Sequence, residues 1–566
     1  MLSFFTKVAN AVNGFELAFL GMVLGVASAM LLFTFGMALN AFPFWFGVTV
    51  ASLVAARRSW KALIALWGIY LVGFCLSLMI VSCFATDAMM CYFSLARLIA
   101  DGWNPVYQLT PKEICEFAKT TDFAYVHALH VPNFNPLAAA TISKGLGVFN
   151  GDCFIGVVML FALGASAFRF GCKIWNSPGA GMILALGVAI TSKITNFIAG
   201  HVDYTIYASM MMTALFAGLW MEFKELRDLL MAFVSGAVAV ASKAMGFPFV
   251  LLVLIILLIK DFRDKRFWTG LSFGLILSCI LVLSPYIVNT IQNGSPFPSE
   301  NLTSDFTGNE DAMRMGYVLR MIYAWVSPTF AKMIGSLIYH PDFEPIFEVV
   351  GGVAGYGTFF RILLLVSVLC LTLSRKNTVL LLCVCLFVSA NLLPLKYIGY
   401  NRYCPQLLAL PFLAVLNFLY APIAFTKKKR LFWCLRCVYG CMVACLSLFF
   451  VLRALSYLEM SIAWQSAREH EFKLMSKTSC KWRLPHCGKP SRVMHSAMCL
   501  LSNYGIEIVT DYQAPIASFN PRNLLFSAHP IEEKRLTNFS KRFFICNSPS
   551  SLLRFDWLGA WKSPHF

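Results

Sequence analysis

Long apolar runs separated by short charged turns follow one another along most of the chain. Many of these runs reach the roughly 20 residues that an α-helix needs to cross a bilayer. The short alternating segments of a transmembrane β-barrel are not the prevailing pattern. The apolar runs predict about 13 helical spans. They lie near residues 15–37, 40–57, 62–84, 153–172, 178–200, 204–221, 229–245, 247–260, 267–290, 354–374, 377–395, 404–422 and 431–454.

Several segments depart from this pattern. The runs at 229–245 and 247–260 are short enough to be half-spans that dip into the membrane. Stretch 131–150 is interrupted by Pro and Gly, so it predicts a short interfacial or re-entrant helix, and we expect the same of 313–337. Neither stretch is expected to cross the bilayer.

The composition changes near the C-terminus. From about residue 456 the chain is charged and mixed, and the alternation in "YGIEIVTDY" predicts a strand. The sequence therefore predicts an all-α polytopic transmembrane bundle over residues 1–455. A small extracytoplasmic C-terminal α/β region follows over residues 456–566.

The charges predict an orientation. Basic residues gather in short turns between apolar runs, which indicates cytoplasmic turns. These clusters are Arg57, Arg58 and Lys61; Arg169 and Lys173; Lys224 and Arg227; Lys260 to Arg266; Arg375 and Lys376; and Lys427 to Arg430. Loops 85–130 and 291–352 carry more acidic than basic residues and are predicted outside. We therefore expect a multi-pass protein of the inner or plasma membrane, with its N-terminus cytoplasmic and its C-terminus extracytoplasmic.

The composition agrees with a membrane protein. The 566 residues are 58% hydrophobic and only 13% charged, whereas soluble domains have about 25% charged residues. The net charge of +18 is spread over turns and forms no basic patch interleaved with aromatic residues, so nucleic acid is not an expected partner. The four tail cysteines show no CxxC spacing, and no metal site is predicted from them. They are Cys480, Cys487, Cys499 and Cys546.

Candidate chemistry begins in the first outer loop, "ATDAMMCYFSLARLIADGWNPVY" at residues 85–107. Asp87 comes just after the third apolar run, and Asp101 follows roughly four helical turns later, so both can face the same way. The Gly-Trp-Asn-Pro turn then ends the helix, and we expect Trp103 and Tyr107 to anchor it at the interface. A carboxylate at this boundary can accept a proton or bind a divalent cation. Alternatively, Asp87 only caps the helix.

These residues resemble the glycosyltransferase class C superfamily. Its members are polytopic transferases that use polyprenyl-phosphate-linked sugars, including protein O-mannosyltransferases and the aminoarabinose transferase that modifies lipid A. The resemblance rests on Asp87-Ala88, Tyr92, Arg97 and Gly102-Trp103-Asn104-Pro105, and on "NGSPFP" (293–298), "GGVAGYG" (351–357) and "YNRYCPQLLALP" (400–411). It spans roughly residues 60–455. Ala88 stands where the superfamily usually has a second acidic residue.

The resemblance implies an inverting membrane glycosyltransferase. Asp87 is then the catalytic general base, and the partners are a polyprenyl-phosphate sugar donor, membrane lipids, and a lipid, glycan or protein acceptor. No cofactor is certain, and a divalent cation is an open alternative.

Further charged residues complete the predicted substrate-binding set. Arg97 and Asp101 lie in the first loop, and His201 and Asp203 ("GHVDY") lie at the outer end of a span. For His201 and Asp203, the alternative is an ordinary polar turn between two helices.

Two cations are predicted to hold the lipid phosphate. Lys243 lies inside an apolar run, where a charge usually faces a cavity or a partner, although it can also snorkel. Arg402 lies in a short outer loop and suits bidentate phosphate binding, or else is a solvated loop charge.

A transporter or flippase of lipid-linked saccharides is the alternative function. It shares the long apolar chain and the buried basic residues. Such proteins usually show repeat symmetry and helices broken at the membrane midplane. No internal repeat is visible in this sequence.

Overall fold

The structure is a computed structural model. It describes residues 2–79, 93–108, 133–190, 202–294, 377–391 and 405–420, a few residues at 113–117 and 367, short stretches within 433–451, and three short strands in the tail. Asp87, His201 and Arg402 lie outside the described residues, as do stretch 313–337 and most of the C-terminal tail.

Helices dominate the described residues. In chain order they are α1 (Leu2–Thr34), α2 (Phe42–Arg58), α3 (Trp60–Met79), α4 (Ser94–Asp101), α5 (Phe134–Leu146), α6 (Asp152–Trp175), α7 (Pro178–Ala189), α8 (Val202–Phe223), α9 (Leu226–Ser242), α10 (Gly246–Asp261), α11 (Lys265–Asn293), α12 (Asn377–Asn391), a 3-10 helix (Pro405–Ala409) and α13 (Leu410–Tyr420). The tail contributes strands β1 (Trp482–Arg483), β2 (Ile508–Val509) and β3 (His529–Pro530).

Most of the described helices coincide with predicted apolar runs. Within the described part of the chain, four helical segments are long and apolar enough to cross a membrane, judged by length and composition: Asn13–Thr34, Trp60–Met79, Asp152–Trp175 and Val202–Phe223. Large apolar side chains on the outside of the bundle, such as Leu53, Ile64 and Leu71, are each 61% exposed. Exposed apolar surface of this kind marks contact with lipid or a partner. These are the features of an integral membrane protein.

The helices run back and forth between two ends of one bundle. The basic turns meet at one end, where Lys224 pairs with Asp261, Arg266 donates to Lys224 O at 3.1 Å, and Arg169 pairs with Glu225 at 3.3 Å. We call this the basic end. The clusters gathered there are Arg57, Arg58 and Lys61; Arg169 and Lys173; Lys224 and Arg227; and Lys260 to Arg266. By the positive-inside rule we expect it on the cytoplasmic side.

Ion pairs at both ends of α9 and α10 count against the half-span interpretation of these two helices, which stays a prediction. Lys224, just after α8, pairs with Asp261 at the last residue of α10. At the other end of the bundle, Asp203 in the first turn of α8 pairs with Lys243 between α9 and α10. Both short helices therefore lie alongside α8 between its two ends. At about 1.5 Å per residue each is some 25 Å long.

A buried ion-pair network joins three helices at the basic end. Glu16 of α1 is 2% exposed and lies between Arg227 of α9 and Arg169 of α6, the latter at 3.4 Å. Asp228, fully buried in α9, also pairs with Arg169. Because isolated buried charges are costly, this network fixes the register of α1, α6 and α9.

The rim of the same end carries a more exposed pair. Lys173 donates a hydrogen bond to Glu225, which lies in the short connection between α8 and α9. That hydrogen bond holds the pKa of Glu225 below its ordinary value. A carboxyl whose pKa is lowered by folding stabilises the fold at neutral pH, and this contribution is lost as the pH falls.

Glycine allows α1 and α2 to approach closely. Gly47 of α2 lies against the backbone of Gly21 and Gly25 in α1, and a Cβ at position 47 would meet Gly25 N at 2.8 Å. Small residues at such contacts let membrane helices pack backbone to backbone. The first two helices therefore form a tight antiparallel hairpin that Tyr70 of α3 joins by donating to Ala18 O at 3.0 Å.

The first outer loop contains the helix and turn that its sequence predicts. Helix α4 ends at Asp101, and Gly102 follows with φ +116°, a conformation that favours glycine. The prediction that Trp103 anchors at the interface is wrong, because its side chain is only 1% exposed within the core. Tyr107 is 59% exposed, and its hydroxyl donates to Thr34 O at the end of α1.

The tail strands form a small mixed sheet in the order β2-β1-β3. β1 pairs parallel with β2 and antiparallel with β3. Ile508 and Val509 lie within the segment whose alternation predicts a strand. The helical part of the predicted α/β region stays a prediction.

Gly47→Ala is expected to destabilise the protein by about 1–3 kcal/mol, because the added methyl group overpacks the α1–α2 contact. Gly68→Ala is the matched control, since a Cβ there meets nothing within 4 Å. Thermal unfolding of the full chain in detergent should show a lower midpoint for the first variant only. Equal midpoints would disprove the close hairpin contact.

Asp228→Asn is expected to cost about 3–5 kcal/mol, since it leaves the charge of Arg169 undercompensated in a buried setting. Asp264→Asn, which removes a local surface pair with Arg266, should change the stability little. Both values come from denaturant or thermal unfolding. A loss at position 228 no larger than at position 264 would contradict the buried network.

Candidate functional site

The strongest candidate site lies at the end of the bundle opposite the basic end. Helix α5, residues Phe134–Leu146, forms its floor and packs against α1, α2, α4, α6 and α9. The helix is too short to span a bilayer and is buried from Phe134 to Ile142. This agrees with the short, non-spanning helix that the sequence predicts there, and it brings polar groups of several elements together.

A buried ion pair is the central feature of this end. Lys243 Nζ lies 3.0 Å from Asp203 Oδ1, and the two side chains are 16% and 2% exposed. Asp203 occupies the first turn of α8, where the helix dipole favours a negative charge. The two residues were predicted separately, and the structure brings them into direct contact.

Lys243 does not lie inside a span, contrary to the sequence prediction. Helix α9 ends at Ser242, and Lys243 follows it with extended backbone, φ −162° and ψ 142°. Helix α10 begins three residues later at Gly246. The ammonium group is thus presented by the connection between two helices, which directs it to the end of the bundle.

Two further polar residues adjoin the pair, and the sequence analysis missed both. Asn135 at the start of α5 donates from Nδ2 to Thr205 Oγ1, two residues after Asp203, at 3.0 Å. Asn135 is 3% exposed, and its Oδ1 accepts no hydrogen bond from any described residue. An unsatisfied buried acceptor costs free energy, so it calls for an explanation. The sequence feature that points to Asn135 is its position as a polar residue between the two prolines of "PNFNP".

Hydrogen bonds to the neighbouring helix hold the start of α8 in place. The hydroxyl of Tyr204 donates to Ala189 O at 2.9 Å, and that of Tyr207 donates to Val188 O at 2.8 Å. Both tyrosines are buried, and both acceptors lie in the last turn of α7. Asp203 is therefore carried by a rigid helix start.

A second charged pair lies on α4. Arg97 and Asp101, one helical turn apart, form an ion pair at 3.1 Å, with side chains 27% and 34% exposed. The guanidinium group of Arg97 also stacks over the ring of Phe149 at 5.0 Å. Its Nε is buried without a hydrogen-bond partner. These two predicted residues therefore pair with each other and not with Lys243.

A small cavity adjoins Arg97. Ser143 of α5 and Asn150, Gly151 and Asp152 at the start of α6 contribute to its lining. It has room for about one water molecule, which is far too small for a sugar. Ala139 of α5 also lines it, only about 6 Å along the helix from Asn135. The two charged pairs therefore flank the same short helix.

Asp87, His201 and Arg402 lie outside the described residues, so their roles stay predictions. The described residues on either side of Asp87 are Met79 at the end of α3 and Phe93 before α4. Among the described residues, no three His, Cys, Asp or Glu side chains form a group that could hold a metal ion.

No protein-family model matches the chain, and no curated protein matches it. Among solved structures, the chain is similar to the crystal structure of ArnT from Cupriavidus metallidurans bound to undecaprenyl phosphate. The TM-score is 0.40 and the sequence identity is 12%. The match covers 78% of this chain and 88% of that chain. A TM-score of this size does not establish a common fold.

Lys243→Met and Asp203→Asn are each expected to destabilise the protein. Each substitution removes one charge of the pair and leaves the opposite charge buried without its partner. The double variant should lose less than the sum of the two single losses, with a coupling energy of about 1–3 kcal/mol. The same cycle with Arg97→Met and Asp101→Asn, which joins two partly exposed side chains, should couple by less than about 1 kcal/mol. Unfolding in detergent measures both cycles, and strict additivity at Lys243 and Asp203 would contradict the contact.

Proposed function

We propose that the protein is an integral-membrane glycosyltransferase of the class C type. It takes a sugar from a polyprenyl-phosphate-linked donor and transfers it to a lipid, glycan or protein acceptor on the extracytoplasmic face. The observation that carries this proposal is the buried Lys243–Asp203 pair at the end opposite the basic turns.

The charge of Lys243 suits the leaving group of this reaction. Cleavage of the bond between the sugar and the phosphate leaves negative charge on the lipid phosphate, and a fixed cation stabilises that charge in the transition state. Lysine binds phosphate as a point charge. Asp203 compensates the ammonium in the resting protein and orients it. Arg402 is the second cation in this proposal.

Asp87 is the general base. An acceptor hydroxyl or amine attacks the anomeric carbon from the face opposite the phosphate and transfers its proton to the Asp87 carboxylate. The bond to the lipid phosphate breaks as the new glycosidic bond forms, which inverts the anomeric carbon. A carboxylate at the mouth of the membrane domain is well suited to accept that proton.

The neighbouring polar residues suit binding of the sugar. Asn135 Oδ1 is a buried acceptor without a partner, and a sugar hydroxyl is a donor of matching chemistry. His201 precedes Asp203 by two residues and joins the same proposed subsite. Arg97 and Asp101 stiffen the helix that follows Asp87, since they bridge one turn of it.

The orientation of the bundle supports the extracytoplasmic face. Four basic clusters share the basic end, and such turns face the cytoplasm in membrane proteins. The proposed site then lies outside, where no nucleotide sugar is at hand and the lipid carrier supplies the activated sugar.

Transfer by the purified protein in lipid tests the proposal. Labelled polyprenyl-phosphate sugars are offered with host membrane extract to the wild type, Asp87→Asn and Lys243→Met. We expect transfer by the wild type and a loss of at least a hundredfold with Asp87→Asn, in the range that general bases contribute, about 10²–10⁴. Lys243→Met should lower transfer as well.

Asp264→Asn is the matched control, since this carboxylate lies at the basic end and pairs locally with Arg266. It should transfer like the wild type. An EDTA arm of the assay measures any need for a divalent cation. Equal transfer by the wild type and Asp87→Asn would return Asp87 to helix capping. Movement of lipid-linked sugar across the bilayer without transfer would support the flippase instead.

A further inference from the structure

The connection between α10 and α11 carries an unusual group of side chains at the basic end. Within residues 260–266, Lys260, Arg263 and Lys265 are all exposed. No carboxylate pairs with any of the three among the described residues. Arg263 instead lies over the ring of Phe262 at 5.2 Å. Three cations are thus presented outward from one short turn.

The acidic residues of this turn are already engaged. Asp261 accepts hydrogen bonds from Lys224 and, at 2.8 Å, from Trp220 Nε1. Asp264 accepts from Arg266 Nη2 at 2.8 Å and from the backbone N–H of the same residue at 2.9 Å. These carboxylates neutralise Lys224 and Arg266, so the charges of the other three cations stay uncompensated locally.

Those same hydrogen bonds make the turn rigid. Arg266 Nη1 also donates to Lys224 O at 3.1 Å, which joins this turn to the one between α8 and α9. Trp268 Nε1 donates to Phe262 O at 2.7 Å and closes the turn from its other side. The three cations are therefore held on a fixed scaffold, which lowers the entropy cost of binding a ligand.

Large apolar side chains surround the cations. Ile259 is 72% exposed, Phe262 51% and Trp268 48%. Aromatic side chains with a polar edge gather at the level of lipid headgroups, while the aliphatic ones reach the acyl chains. Cations beside them lie at the depth of the phosphate groups. This combination fits a membrane surface better than it fits a soluble anion.

We propose that the α10–α11 turn binds the headgroups of anionic phospholipids in the leaflet at the basic end. The lipid phosphates contact Lys260, Arg263 and Lys265, while Phe262 and Trp268 insert between the headgroups. The turn acts as a specific lipid site, at the opposite end of the bundle from the proposed transferase site. It does not depend on the proposed enzymatic function.

Native mass spectrometry of the full chain in detergent tests this site. The protein is titrated with phosphatidylglycerol and, separately, with phosphatidylcholine. We expect tighter binding of phosphatidylglycerol by the wild type. Each basic residue near a membrane surface strengthens the binding of anionic lipid by about fivefold, so the triple variant K260Q/R263Q/K265Q should lose this preference by on the order of a hundredfold.

The triple variant R57Q/R58Q/K61Q is the matched control. It removes the same charge from the α2–α3 turn of the same end, and it should retain most of the preference for phosphatidylglycerol. The variant K260R/K265R keeps the charge and should bind like the wild type. Unchanged thermal unfolding midpoints check that the variants keep their fold.

Three outcomes would overturn the proposal. Equal losses in the two triple variants would mean that the general charge of this end attracts the lipid. An unchanged preference in K260Q/R263Q/K265Q would exclude the turn. Displacement of phosphatidylglycerol by inorganic phosphate at the same phosphorus concentration would identify a site for free phosphate, not for a lipid.

Discussion

Charges buried in an apolar bundle need opposite charges beside them, because the desolvation of an isolated ion costs several kcal/mol. The described part of this protein meets this constraint at both ends. Glu16, Arg169 and Asp228 do so at the basic end, and Asp203 with Lys243 does so at the other. The partners in each case come from different elements of the fold. Pairing therefore fixes how the helices align, and most other features follow from that alignment.

The two ends differ in what they offer to a ligand. At the basic end, four or more charged side chains form one ion-pair network that the bundle buries. The role of this network is to stabilise the packing of the helices. The cations that stay exposed there form the rim. At the opposite end, among the described residues, Lys243 and Asp203 pair with each other and are carried by a helix connection and a helix start, respectively. The pair lies at the end of the bundle and is buried there, with the Lys243 side chain 16% exposed and that of Asp203 2%.

Helix α5 links the pieces of the candidate site. It is short, buried and lies across the end of the longer helices, where it contacts both the first-loop helix and the start of α8. Because its backbone is packed on several sides, polar atoms on its surface keep fixed positions. The same helix lines the small cavity at Arg97 and so contacts the first-loop helix α4, whose position it helps to fix. A rigid floor of this kind is what positioning of a substrate needs.

The sequence by itself determined the apolar helices, the charge asymmetry of the turns, the short non-spanning helix near residue 140 and the glycine that ends α4. These features depend on residues close together in the chain, through hydropathy, charge and local backbone preference. It also singled out Asp203 and Lys243 one at a time. Only the tertiary structure decided that these two, 40 residues apart, form a pair.

Tertiary packing likewise placed Asn135 beside Thr205, 70 residues along the chain, and buried Trp103. It also showed that Lys243 lies between α9 and α10, whereas the hydropathy pattern places it inside the run at 229–245. Contacts of this kind depend on which helix faces meet, and a one-dimensional pattern of hydropathy does not encode that choice. The sequence alone indicated the chemistry of the individual residues, but only the packing of the helices brought them together into a site.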